Sequence, residues 1–277
     1  SKPNDRFAIL GILLRAEGLF TVGQFEEAVR QLELLNGRTL DADAQWRHRF
    51  LLARTLMAQK QFDLALTSVS NAVELSKASG RQGRIADSIQ LHAEILEASG
   101  RLKEAVEVYE QNLAPVLPEA QRRQALFKSI QLTIDQGKHA EAITRLEQFI
   151  NQNPGDTTLD LALFTLGELR MKQVFALEKN STNDAINVPP ELLQTALTNF
   201  NLVISNFPKS DLIGKAYLNR GWCYWVERNI AEAQTNFVEA VARLPKSEEQ
   251  GIARFKLADT LFLAGDYSGA ISNYNAL

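Results

Sequence analysis

Apolar residues recur along most of the chain at intervals of three and four, the spacing that places side chains on one face of an α-helix. Short polar turns separate these segments, and several of the turns contain glycine. No segment shows the alternation of apolar and polar residues that is typical of a half-buried strand. The pattern therefore predicts an all-α protein built from many amphipathic helices.

One alanine recurs at a nearly constant interval, each time after a turn and inside an amphipathic helix. Successive copies are 37, 40, 37, 54, 37 and 37 residues apart, by subtraction. They are Ala28, Ala65, Ala105, Ala142, Ala196, Ala233 and Ala270. Glycine is frequent in the preceding turn because helices commonly end with one residue in the left-handed conformation. A repeat of this length predicts stacked helix-turn-helix units.

The segment Lys215–Pro245 carries the most specific pattern of aromatic, small and proline positions. They are Tyr217, Gly221, Tyr224, Ala233, Phe237, Ala240 and Pro245. This pattern resembles a tetratricopeptide repeat. We expect Gly221 and Ala233 to be small because the two helices of the unit cross closely there, with Tyr224 and Phe237 filling the space beside the crossing.

The resemblance covers the whole chain and implies a right-handed α-solenoid, a superhelix of about seven repeats in a single domain, 1–277. The expected repeats are 9–42, 46–79, 86–119, 123–156, 160–210, 214–247 and a truncated 251–277. The 54-residue step indicates an insertion near 174–190. This insertion could also occupy the concave groove that such a superhelix forms. Because the chain lacks an initial methionine and stops within a helix, we expect it to be a fragment of a longer protein.

Two boundaries have distinctive local chemistry. The segment Ser79-Gly80-Arg81-Gln82-Gly83 is rich in glycine and polar residues and is predicted to be a loop. It would contain the three extra residues by which the 40-residue step exceeds 37. Ser247 and Gln250 are spaced as a capping box, in which each side chain bonds to the backbone of the other residue.

Charge and rare residues exclude several kinds of site. With 30 basic and 33 acidic residues the chain has a net charge of −3, so it lacks the basic footprint of a nucleic-acid-binding protein. The single cysteine, Cys223, forms no intramolecular disulfide and is predicted to be a buried small hydrophobe. The histidines, His48, His92 and His139, fall in different repeats without metal-ligand spacing.

The sequence nominates no catalytic constellation, and we predict a protein that is not an enzyme and uses no cofactor or metal. The longest apolar run, residues 7–14, is too short to cross a bilayer, so no membrane insertion is expected.

The family resemblance implies that the first helix of each repeat lines a concave groove, where ligands meet positions two, five, nine, twelve and thirteen. Positions five, nine and twelve lie on one stripe of a helix. Positions five and twelve are each apolar in six of seven repeats, and the exceptions, Gln90 and Glu97, both lie in the third. Position nine is polar except at Trp222.

These rows have two interpretations. In the first, they are buried between neighbouring helices and serve packing alone. In the second, repeats four to seven bind an amphipathic helix or an extended peptide, with aromatic anchors and with acidic residues that meet basic groups of the partner. The candidate site residues are Phe127, Phe164, Glu168, Trp222, Trp225, Phe255, Asp259 and Phe262.

Proline-lysine-serine at 208–210 and at 245–247, the 37-residue step, and Gly265-Asp-Tyr267 are similar to repeats of bacterial envelope proteins of the outer-membrane-assembly and Tol-Pal-associated type. This resemblance implies a non-enzymatic scaffold for a protein or peptide partner in the bacterial periplasm or envelope, with the cytoplasm as the alternative location. Two other functions stay open. The chain could be a structural module that forms homo-oligomers, or the non-catalytic superhelical arm of a larger envelope enzyme.

Overall fold

The computed structural model describes residues 3–180 and 189–277, and this part of the chain contains helices and no strand. The helices are α1 (Pro3–Thr21), α2 (Phe25–Glu33), α3 (Ala42–Ala58), α4 (Phe62–Ser79), α5 (Gln82–Ala98), α6 (Leu102–Gln111), α7 (Glu119–Asp135), α8 (His139–Gln152), α9 (Leu159–Asn180), α10 (Pro190–Asn206), α11 (Ile213–Val226), α12 (Ile230–Arg243), α13 (Glu248–Leu263) and α14 (Tyr267–Asn275). The predicted fold class, an all-α solenoid, is confirmed.

The helices form two compact units, Ser1–Lys138 and His139–Leu277. In the first unit each helix packs against the next, and α1, α3, α5 and α7 also pack in succession. In the second unit α9, α11 and α13 form the same kind of row. The odd-numbered helices of each unit therefore lie side by side. Eight residues of the predicted insertion, 181–188, lie outside the described residues, and the preceding part, 174–180, belongs to α9.

The recurring alanines mark the centre of each helix pair. All seven are at most 1% exposed. The residue four positions later is fully buried in six cases, namely Leu32, Val69, Tyr109, Leu146, Phe200 and Phe237, whereas the seventh, Tyr274, is 36% exposed. The alanine lets the two helices approach, and the larger residue fills the space beside the contact.

Glycine in a first helix makes room for a phenylalanine of the second helix. A Cβ atom added to Gly221 would lie 2.7 Å from Cε1 of Phe237, and one added to Gly167 would lie 2.7 Å from Cε1 of Phe200. The prediction that Gly221 is small because of a close helix crossing is confirmed. In the first helix pair the same two positions hold Ala16 and Leu32. Ala16 is larger than the glycine that it replaces, and Leu32 is smaller than the phenylalanine.

The loop predicted at residues 79–83 is shorter than expected. Helix α4 continues through Ser79 and α5 begins at Gln82. Gly80, with φ of 65°, ends α4 in the left-handed conformation, and only Gly80 and the extended Arg81 separate the two helices. The extra residues of the 40-residue step therefore lengthen α4, which has 18 residues compared with 10 in α6.

The capping box at Ser247 is half correct. Ser247 Oγ accepts a hydrogen bond of 3.3 Å from the backbone N–H of Gln250, as predicted. The Gln250 side chain does not return this bond to Ser247; its Nε2 donates to the carbonyls of Val241 at 3.0 Å and of Leu244 at 2.8 Å. It thus satisfies the C-terminal end of α12 and ties α13 to the preceding helix pair.

In the six helix pairs whose connecting turn the structure describes, the turn contains one residue with positive φ. This residue is glycine at Gly23, Gly100, Gly137 and Gly265. At the equivalent places in α3–α4 and α11–α12 stand Lys60, with φ of 59°, and Arg228, with φ of 62°. A residue with a Cβ atom is strained in this conformation, and glycine is not.

We expect Lys60→Gly and Arg228→Gly each to raise the free energy of unfolding by about 0.5–1 kcal/mol, because glycine removes the strain at the turn. The change is measured as a shift of the urea midpoint. The matched control, Gly265→Ala at φ of 83°, should lower stability by about 1 kcal/mol. Loss of stability in both glycine variants would contradict the assignment of strain.

Candidate functional site

Two of the predicted anchor residues remain strongly exposed in the second unit. Phe255 is 46% exposed and Phe262 is 55% exposed, and their spacing of seven residues places them on one stripe of α13. Phe127, on α7 of the first unit, is 54% exposed. Exposed apolar residues that form a contiguous patch often mark an interaction site, whereas single exposed residues are common.

Phe164 lies in the core. Its side chain is 5% exposed, and its ring packs edge-on against Phe200 with the ring centroids 6.0 Å apart. Two other apolar-row residues of the second unit, Leu218 and Met171, are also buried. At these three positions the apolar rows serve packing.

Trp222 and Trp225 are half-buried on α11, and the ammonium group of a lysine of α13 lies over their rings. The Nζ atom of Lys256 is 4.9 Å from the centroid of Trp222 and 4.4 Å from that of Trp225. It is also 5.6 Å from the centroid of Phe255. An ammonium group over an indole face is attracted by the negative charge of the ring's π electrons, more strongly when both groups are desolvated.

A carboxylate completes this arrangement. Asp259 Oδ2 lies 2.8 Å from Lys256 Nζ, and the two side chains are only 20% and 17% exposed. The other oxygen, Asp259 Oδ1, accepts a hydrogen bond of 2.6 Å from the Tyr274 hydroxyl, and this bond raises the pKa of Tyr274. We call Trp222, Trp225, Phe255, Lys256, Asp259 and Phe262 the aromatic face.

The Trp222 ring contacts two phenylalanine rings, one on α12 and one on α9. Its ring meets Phe237 at 6.2 Å and Phe175 at 6.0 Å, both edge to face. Phe237 belongs to the core of the α11–α12 pair and Phe175 to the last turns of α9. Trp222 therefore connects the core to the surface at which Lys256 lies.

Glu168 lies on α9 at the position equivalent to Trp222. Burial raises the pKa of its carboxyl, and this shift is opposed by the charge of Lys172 and by a hydrogen bond with Asn219. Asn219 in turn is equivalent to Lys256. Glu168 and Trp222 are at position nine of their repeats, and Asn219 and Lys256 are at position six of the repeats that follow. A side chain at position nine therefore contacts one at position six of the next repeat in both cases. The pair is a carboxyl and an amide between α9 and α11, and an indole and an ammonium group between α11 and α13.

Lys256 was missed by sequence reasoning, although the sequence contains a signal for it. Trp222 and Lys256 are 34 residues apart, and Glu168 and Asn219 are 51 apart, which is 34 plus the 17-residue insertion. The same pairing therefore recurs once the insertion is allowed for. A comparison of position six across repeats could have indicated it.

The two polar exceptions in the apolar rows, Gln90 and Glu97, each form hydrogen bonds with other polar side chains of the first unit. Glu97 accepts hydrogen bonds of 2.8 Å from the Tyr109 hydroxyl and 2.9 Å from Lys128 Nζ. Gln90 donates to Glu94 at 2.8 Å. The third repeat thus joins α5 to α6 and α7 by polar contacts where other repeats use apolar ones.

Rare residues follow the packing. Cys223 is fully buried, as predicted, with its Sγ atom 3.2 Å from Met171 Sδ of α9, and burial raises the pKa of its thiol. His48 is buried, its Nε2 lies 3.1 Å from the Leu32 carbonyl, and burial lowers the pKa of the ring. Within the described residues, no group of three or more metal-ligating side chains is placed to hold a metal ion.

Across residues 3–180 and 189–277, none of the helices has the length and hydropathy needed to cross a membrane.

Comparisons with known proteins support the repeat assignment. Residues 124–156 and 218–277 match family models described as tetratricopeptide repeat. A search of curated proteins finds no match. The fold resembles the C-terminal part of a tetratricopeptide repeat protein from Cytophaga hutchinsonii, with a TM-score of 0.60 and 15% identity over 95% of this chain and 93% of that one.

A second similar structure is a signal-transduction ATPase with a tetratricopeptide repeat sensor from Pyrococcus horikoshii. Its TM-score is 0.54 at 15% identity, over 96% of this chain and 40% of that one. At these identities the likeness concerns the fold alone.

Proposed function

We propose that this chain, which carries tetratricopeptide repeats at residues 124–156 and 218–277, is a non-enzymatic scaffold that binds a peptide or helix of a partner protein through the aromatic face. Tetratricopeptide repeat proteins generally mediate protein–protein interactions. The observation that carries the proposal is the exposure of Phe255 and Phe262, 46% and 55%, on one stripe of α13 beside the tryptophan pair.

The chemistry of this face suits a protein partner. Aromatic residues in a partly desolvated cluster are the residue types that dominate the energy of protein interfaces. Asp259 and, on α9, Glu168 would meet basic groups of the partner and set its register more than its affinity. Phe127 is a further exposed aromatic candidate within the first unit, and the buried Phe164 is left out of the proposed surface.

For the cellular setting, we propose a role in bacterial envelope assembly, in the periplasm, with the cytoplasm as the alternative. The support is the similarity of the proline-lysine-serine closings and of Gly265-Asp-Tyr267 to repeats of envelope proteins.

Self-assembly is a second candidate function. A second copy of the chain that covers the exposed Phe255 and Phe262 would bury both rings. Light scattering tests this candidate, because the mass should then rise with protein concentration.

Peptide selection tests the scaffold function. Short random peptides are selected on the wild-type protein, and the affinity of the best is measured by calorimetry for wild type, Phe255→Ala and Phe262→Ala. Each substitution should weaken binding about tenfold, since loss of an aromatic interface contact costs 1–2 kcal/mol and 1.4 kcal/mol is a factor of ten.

The matched control is Val238→Ala on α12, which is also 46% exposed but lies outside the aromatic face. It should leave peptide affinity unchanged. If Phe255→Ala and Phe262→Ala fold normally and bind every selected peptide as tightly as wild type, the aromatic face is not the binding surface.

A further inference from the structure

Lys256 is placed like a bound ligand. Its ammonium group lies 4.4 Å and 4.9 Å from the centroids of two indole rings and 2.8 Å from a carboxylate oxygen. Aromatic faces with one carboxylate are the groups that recognise organic cations. Because the lysine side chain is only 17% exposed, most of this recognition surface is already covered from within the chain.

Lys256 differs from the residue at the same position in the preceding repeat. There, Asn219 meets the carboxyl of Glu168 through a hydrogen bond. At the next step of the stack, Trp222 of the sixth repeat replaces the acid and Lys256 of the last repeat replaces the amide. A simple packing requirement would be met by the carboxyl–amide pair, so the exchange concentrates aromatic groups around a cation at one step of the repeat stack.

Part of the aromatic face beside Lys256 is exposed. Phe255 and Phe262 flank it and remain half exposed, and Lys256 is joined to α13 by a flexible four-carbon side chain. The ammonium group can therefore leave the indole rings for solvent without any movement of the backbone. This motion would expose Trp222, Trp225 and Asp259 together.

We propose that Trp222, Trp225 and Asp259 form a binding site for a basic side chain of a peptide partner, and that Lys256 is an internal occupant which this side chain displaces. The proposal rests on the scaffold function and adds to it the chemistry of one partner residue. It also gives Lys256 an autoinhibitory role, because its own ammonium group competes with the partner for the same three groups.

Two matched probes test the site, N-acetyl-lysine methylamide and its neutral counterpart N-acetyl-norleucine methylamide. Binding is followed by NMR of the indole N–H signals. The chain has three tryptophans, and Trp46, which lies in the first unit, serves as an internal control. We expect Lys256→Ala to bind the lysine probe about tenfold more tightly than wild type and to bind the norleucine probe no better.

A double variant, Lys256→Ala with Trp225→Ala, should lose the preference for the cation. Lys256→Ser provides a second emptied site if Lys256→Ala folds poorly. If the emptied variants bind both probes equally, or bind neither, the proposal is wrong. The scaffold function would survive that result, provided that selected peptides still depend on Phe255 and Phe262.

Discussion

Replacing Phe237 by alanine is expected to lower the free energy of unfolding of the second unit by about 3–5 kcal/mol. The ring is fully buried, packs beside Ala233 and Gly221, and meets Trp222 edge to face at 6.2 Å. Its removal leaves a cavity between α11 and α12, because the backbone of two packed helices cannot collapse into the space of a phenyl ring. Urea unfolding measures the change.

The tryptophans report the loss directly. In a Trp46→Phe background the two remaining tryptophans, Trp222 and Trp225, both lie in the second unit. The control is Val238→Ala, the next residue along α12, which is 46% exposed and should change stability by less than about 0.5 kcal/mol. Equal effects at Phe237 and Val238 would contradict the assignment of Phe237 to the core.

Gly221→Ala should destabilise the second unit by about 2 kcal/mol, although alanine is the better helix former. The new Cβ would lie 2.7 Å from Cε1 of Phe237, too close for a buried ring to tolerate without moving. Overpacking of this kind costs about 3 kcal/mol, and the higher helix propensity of alanine returns about 1 kcal/mol. Thermal and urea unfolding both measure the net loss.

A rescue and a control make this test specific. Combining Gly221→Ala with Phe237→Leu recreates the Ala16–Leu32 pairing of the first helix pair, so the double variant should be at least about 1 kcal/mol more stable than the sum of the single changes. Gly251→Ala, where an added Cβ meets nothing within 4 Å, should be neutral or stabilising. Additive losses in the double variant would show that the ring and the glycine do not interact.

The repeat itself was predictable because it depends on residue size at fixed spacing. The seven alanines and Gly221 are small for a steric reason, and a steric requirement leaves a mark on the sequence wherever helices cross. Cys223 and the seven helix pairs follow from the same pattern. The loop at residues 79–83 was predicted too long because a left-handed residue, Gly80, ends α4 and lets α5 begin two residues later, at Gln82.

The candidate site was only partly predictable. Phe164 and Phe255 hold equivalent positions, yet one is 5% exposed and the other 46%. Helical periodicity identifies the stripe on which both lie, but their burial depends on which neighbouring helix covers that stripe. Lys256 escaped notice for a related reason, since its partners are on α11 and a charge on one helix acquires a role only from the helix beside it.

Because Cys223 is buried, the reactivity of its thiol reports local opening between α9 and α11. As the single cysteine, it lies on α11 with its sulfur against Met171 of α9, so an alkylating reagent in solution reaches it only when these two helices part. The rate of thiol modification under native conditions therefore counts separation events between adjacent repeats. This rate measures how easily α9 and α11 separate. The measurement needs no substitution and does not unfold the rest of the protein.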